Sequence, residues 1–273
     1  MRHRWNRNGK QPRRLPVTDG QIRTRSPSLR RKLEAALKQL SAGRHAPGER
    51  ALRAGVAGLV RRHGWPDAAR GTLALASAVL RRGRARDAQH ILKDAKEYSR
   101  CAADDRALAD VAILSGIAWI DQGRLDEADS LLSASLAAAT SQADLSRTVA
   151  SRLALARCHF WRAQYDQSAE LLLGLQEDEI DVTDSVGRLI GLSRASIGRR
   201  DLEAAMRHAM AASDVAERSG QPALVARAAC GLAFAHLAVG DSGAVARDVT
   251  ASGTGIPTVS RFSLCGSRPS DWR

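Results

Sequence analysis

The chain has few aromatic residues: Phe, Trp and Tyr together make up 4% of its 273 positions. A core built without them must rest on Ala, Leu, Val and Ile. Alanine-rich sequence forms helix readily, because alanine gives up no side-chain entropy there. Proline is equally sparse where it matters, with none between Pro66 and Pro222. A continuous run of long helices needs that absence, since an interior proline removes a hydrogen bond and clashes with the preceding turn. The four cysteines, Cys101, Cys158, Cys230 and Cys265, form no CxxC pair. That spacing speaks against a disulfide scaffold or zinc site and fits a reduced, cytoplasmic protein. No uninterrupted apolar run approaches the ~18 residues of a membrane span, and the basic N-terminus lacks the apolar stretch of a signal peptide. Phosphate-cradling glycine loops, nucleophile elbows and zinc-protease helices are missing too. An enzyme, a metal site or a cofactor has no residues to rest on.

Charge is present but uneven. The net charge is +13, and residues 1–32 hold eleven Lys/Arg against one acid, Asp19. On this count the basic character belongs to a tail and the region after it is close to neutral. Residues 1–27 have three prolines and no periodicity, so they read as a disordered basic arm able to meet phosphates or acidic surfaces, with Trp5 available for stacking.

What fills the rest is repetition. The stretch SGIAWIDQGRLDEADSLLSASL (residues 115–136) reads as two amphipathic helices joined at Asp121-Gln122-Gly123-Arg124, with Gly116 and Ala128 as small residues where the helices approach. The pattern returns around Ala76, Gly83 and Ala88; around Ala156, Ala163 and Ser168; around Ser193 and Ala205; and around Ala233, Gly240 and Val245. The second small position falls at 88, 128, 168, 205 and 245, giving steps of 40, 40, 37 and 40. A fixed period of this size marks stacked supersecondary units. Basic amphipathic helices at Ser28–Leu40 and Glu49–His63 suggest a degenerate pair ahead of the first copy. The expected architecture is all-α: an αα-hairpin solenoid over residues 28–249, with an irregular tail at 250–273 that reads as out of frame or simply flexible.

Gly116, Trp119, Gly123 and Ala128 carry a resemblance to the tetratricopeptide repeat. The period of about 40 departs from the usual 34, and no proline closes the repeats. The chain therefore looks more like the longer-helix TPR-like arrays of bacterial transcription regulators, such as the maltose-regulon activator family. That resemblance implies a TPR-like superhelix and a regulatory or scaffolding role, including that of a truncated regulator whose DNA-binding domain lies elsewhere.

In such arrays the first helix of each pair lines a concave face. That face would carry Arg70, Ser77 and Arg81, then Asp110 and Asp121, then Arg157, Phe160 and Trp161, then Arg194, then Arg227 and Phe234. Arginines beside aromatics suit an acidic peptide, because guanidinium forks pair with carboxylates and rings supply buried anchors. The expected partner is a protein or peptide, with nucleic acid at the arm as the alternative and no membrane. An uncapped C-terminal end would favour self-association. Other polar groups have plainer uses. Asp104 and Asp105 stand at a helix start, where carboxylates cap free N–H groups. Glu177, Asp178, Glu179, Asp181 and Asp184 form an acidic inter-repeat loop without calcium-loop spacing. His159 and His236 hold equivalent positions, which points to packing.

Overall fold

The computed structural model describes residues 27–241 and 243. The expected arm (apart from Pro27), the 250–273 tail and most of the segment around Val245 lie outside these residues. Within them the chain is a succession of helices without strands: α1 (Pro27–Ser41), α2 (His45–Val60), α3 (Trp65–Arg81), α4 (Ala85–Cys101), α5 (Asp105–Ile120), α6 (Leu125–Ser141), α7 (Leu145–Trp161), α8 (Tyr165–Leu173), α9 (Val182–Gly198), α10 (Leu202–Ser219) and α11 (Pro222–Val239).

One turn closes most of these helices. A residue with positive φ follows the helix, and the next N–H reaches back five residues: Arg44 to the Gln39 carbonyl at 2.9 Å, Arg84 to Val79 at 3.2 Å, Arg124 to Trp119 at 2.9 Å, Gln164 to His159 at 2.9 Å and Asp201 to Ser196 at 2.9 Å. This satisfies carbonyls the helix end leaves free. Inside the hairpins the positive-φ residue is Gly43, Gly83, Gly123, Ala163, Arg200 and Gly240; between hairpins it is His63, Ala103, Ala143 and Gly220. The backbone thus repeats at half the sequence period, one helix and one turn at a time. Helix starts use aspartate: Asp104, Asp144, Asp181 and Asp201 accept the N–H of Ala107, Arg147, Asp184 and Ala204 at 3.0, 3.2, 2.8 and 3.0 Å.

The 37-residue step has its cause in α8, which has 9 residues where α4 and α6 have 17. It ends at Gly174, and the acidic loop with a 3-10 turn at Glu177–Glu179 bridges to α9.

Small residues set the helix spacing. Ala76, Ala88, Ala128 and Ala205 are fully buried. A Cβ on Gly116 would stand 2.6 Å from Leu132 Cγ, so only glycine admits that leucine. Ser168 Oγ donates to the Ala156 carbonyl at 2.8 Å, tying α8 to α7. Ion pairs then clip the first hairpin to the second, Arg30–Asp67 at 2.6 Å and Arg82–Glu49 at 2.6 Å, and the third to the fourth, Arg147–Asp110 at 2.8 Å and Arg162–Asp126 at 2.9 Å.

Two sequence expectations need correction. The basic character is not confined to a tail. Residues 1–62 hold 17 Lys/Arg and 3 Asp/Glu, and the remainder holds 25 and 26. Arg31, Lys32, Arg50, Arg53 and Arg61 are exposed on the α1–α2 hairpin, while its buried Glu49 is neutralised by Arg82 and Arg84. Nor is an apolar helix of spanning length missing. By length and composition α11, with 18 residues and mean hydropathy 1.6, could cross a membrane. Within the array it packs against α9 and α10, with 28% of the helix buried.

Candidate partner-binding face

The first helices of the hairpins form an inner layer. α3, α5, α7, α9 and α11 each pack against the next of their set, and no contact of comparable extent joins the second helices α4, α6, α8 and α10 to one another. The repeat places residues of this layer in rows. Ser77, Ile117, Arg157, Arg194 and Phe234 are equivalent; so are Arg70, Asp110, Ala150, Gly187 and Arg227; so are Arg81, Asp121, Trp161, Gly198 and Ala238.

At the N-terminal end of these rows the polar side chains serve their own helix. Arg70 stands 3.4 Å from Asp67, one turn back. Arg81 donates to Ser77 Oγ at 3.0 Å, and burial lowers its pKa. On α5, Asp110 is taken by Arg147 of α7, which also holds Asp144 at 2.7 Å. Burial works against the Arg147 charge, but the hydrogen bonds to Asp110 and Asp144 prevail and raise its pKa.

From α7 onward the rows converge. Arg157 forms an ion pair with Asp121, whose carboxyl is nonetheless raised in pKa by burial. Arg194 lies over the ring of Phe234 at 6.0 Å. Arg227 lies across α9 at Gly187, where a Cβ would come within 2.9 Å of its Nη2. Burial pushes Arg194 down to about 10, helped by the positive charges of Arg157 and Arg227. Arg227 is lowered by burial and by Arg157, with Asp184 opposing. Asp184 itself is raised by burial and by Asp181, with Arg227 opposing. Among the described residues Arg194 has no carboxylate within ion-pair distance. Its charge is held between two others in a partly enclosed setting, where repulsion is stronger than in bulk water.

Of the expected face, the structure gathers Asp121, Arg157, Arg194, Arg227 and Phe234. Arg70, Ser77 and Arg81 lie apart on α3, and Asp110 is committed to Arg147. Phe160 meets Trp161 at 5.3 Å and Tyr165 at 5.8 Å, where α7 turns into α8. Sequence reasoning missed Arg147 and the clearance at Gly187, and it placed Asp184 in the acidic loop rather than in the first turn of α9. The row containing Arg70 and Asp110 held the signal for Gly187, which is small where Arg70, Asp110 and Arg227 are charged.

The remaining candidates are structural. His159 Nδ1 is 2.7 Å from Gln164 Oε1, and its Nε2 is 3.8 Å from Asp129. Cys158 donates to the Leu125 carbonyl at 3.4 Å, and burial pushes its thiol up to about 11. Among the described residues no group of three His, Cys, Asp or Glu side chains is placed to hold a metal. A cleft of about 500 Å³ lies between α1 and α2, with a floor of Ala35, Ala36, Ala51, Ala54 and Gly55.

No family model matches this sequence, and no curated protein does. Solved structures do share its fold. A single-substitution variant of a candidate kinesin light chain from Podosopora anserina, with nearly identical TPR-like repeats, superposes with a TM-score of 0.52. It is 19% identical, over 70% of this chain and 96% of its own. A second structure of that protein gives 0.51. BtubC (BKLC) from P. vanneervenii aligns over 89% of this chain and 94% of its own, at 18% identity and a TM-score of 0.46. The chain is a TPR-like helical repeat protein. At such identities the likeness to solved structures is one of fold, and the resemblance of the TPR-like array to bacterial transcription regulators rests on its sequence pattern alone.

Proposed function

We propose that this TPR-like array is a non-enzymatic, cytoplasmic scaffold whose inner helix layer receives a segment of a partner protein. The observation that carries the reading is the meeting of Arg157, Arg194 and Arg227 on α7, α9 and α11. Burying like charges opposes folding, and sites that hold such groups are more often sites of recognition than of packing. A solenoid offers one long continuous face for that purpose. The sequence resemblance would make the partner's signal regulatory, with the array as the sensor part of a transcription regulator. The test is photo-crosslinking in cells from Phe160 and Phe234 on the inner layer, compared with Gln167 and Met210 on α8 and α10. Preferential partner capture from the inner positions is expected. Capture from α8 and α10 alone would end the reading.

A second reading has its own observation, the exposed cations of α1 and α2, which extend the basic arm onto folded structure. Such a surface suits a polyanion, and duplex DNA is the probe. Binding should weaken steeply with salt and fall on charge reversal at Arg50, Arg53 and Arg61. An unchanged mobility shift would remove it.

A further inference from the structure

The inner-face reading leaves open what the partner presents to the arginines. The local charge count narrows it. Three guanidinium groups, Arg157, Arg194 and Arg227, face two carboxylates, Asp121 and Asp184. Arg157 is engaged by Asp121, and Arg227 lies within the electrostatic reach of Asp184. Asp181, the next carboxylate along, accepts the Asp184 N–H at 2.8 Å and faces the start of α9, where the helix dipole satisfies it. One cation is therefore left over. It is Arg194, whose position on α9 corresponds to that of Arg157 on α7 and whose neighbour is a ring rather than an acid.

Resting on the scaffold reading, we infer that Arg194 is the seat for one Asp or Glu side chain of the bound segment, flanked by an apolar residue that packs on Phe234. The chemistry selects this ligand on two grounds. A guanidinium fork matches a carboxylate with two parallel hydrogen bonds. A single negative charge neutralises the excess, whereas a phosphate dianion would leave a surplus of the opposite sign in the same enclosed place. In the free protein the excess charge works against folding, so Arg194 contributes to binding at the expense of stability.

The test uses the full chain. The side-chain Nε–Hε resonance of Arg194 is followed by NMR while three probes are added: a blocked pentapeptide Ala-Leu-Glu-Leu-Ala, its counterpart with Gln for Glu, and inorganic phosphate. Thermal melting is measured alongside, with Arg194→Met and Arg194→Lys as variants. The Glu peptide should shift the resonance saturably and raise Tm, with little effect from the Gln peptide or from phosphate. Without peptide, Arg194→Met should melt above the unmodified protein and ignore the Glu peptide, while Arg194→Lys should melt near it and bind more weakly. A lower Tm for Arg194→Met, equal responses to the Glu and Gln peptides, or phosphate binding as strong as the Glu peptide would each overturn the inference. If Arg194→Met does not fold, the titration of the unmodified chain still decides. A partner crosslinked at Phe160 and Phe234 beside a silent Arg194 would discard this inference and keep the scaffold.

Discussion

The two ends of the array solve the same packing problem with different materials. From α1 to α5 a single apolar cluster runs without interruption, from Leu33 and Leu52 through Leu75 and Val79 to Ala118. From α7 onward the core divides into smaller clusters, one around Val186, Ile190 and Ala216, another around Ala156, Leu172 and Ala195. In this second half the inner layer carries the arginine cluster, α8 is cut short, and two hairpin turns put Ala163 and Arg200 where the first half has glycine. The difference teaches that identical topology can hold a well-packed end and an end that carries unsatisfied charge. Such local conflicts concentrate where proteins bind.

The comparison can be broken most forcefully at its apolar side. Leu52, fully buried in the large cluster, should cost about 3–4 kcal/mol as Leu52→Ala, within the range for buried leucines. Val186→Ala in the small cluster should cost about half as much. Urea unfolding of the two variants checks this, and equal losses would erase the contrast. Next in size is Gly116→Val, which drives a branched side chain into Leu132 and should cost about 2–3 kcal/mol by overpacking.

The turns sharpen the contrast with smaller effects. Gly123 has φ +76° and Ala163 has φ +58° at equivalent positions. Gly123→Ala should lose about 1 kcal/mol. Ala163→Gly should gain a few tenths, the relief of strain being partly offset by the entropy of a freer unfolded chain. A loss on Ala163→Gly would show that the second half is not strained at this turn. The last effect is one of pH and is absent near neutrality. The Cys158 thiol is raised from 9.0 to about 11 in the folded protein, so folding favours its protonated form. Its contribution should be intact below pH 9 and decline as pH rises from about 9 to about 11. Unfolding of Cys158→Ser, compared with the unmodified chain across that window, measures it.

Much of this was readable from the residues. The steps of 40, 40, 37 and 40 come back as turns, because a glycine after a helix and an aspartate before one act within a few residues of themselves. The cap at Asp104 and the close approach at Gly116 were legible for the same reason. The candidate face was legible only as rows. Nothing in Arg70 or Asp110 as letters says that one bonds within its own helix and the other is taken by α7. The half-period of the backbone was hidden because the inter-hairpin turns use His63, Ala103 and Ala143, residues that carry no turn signal.

The sequence by itself determined the helices, their ends and their pairing, since helix formation, capping and left-handed turns depend on near neighbours. Tertiary structure alone decided which charges meet. Arg157, Arg194 and Arg227 are not evenly spaced, and Arg227 reaches its neighbours by lying across Gly187. Their meeting required α7, α9 and α11 to stack side by side, and electrostatic repulsion depends on distance in space rather than along the chain.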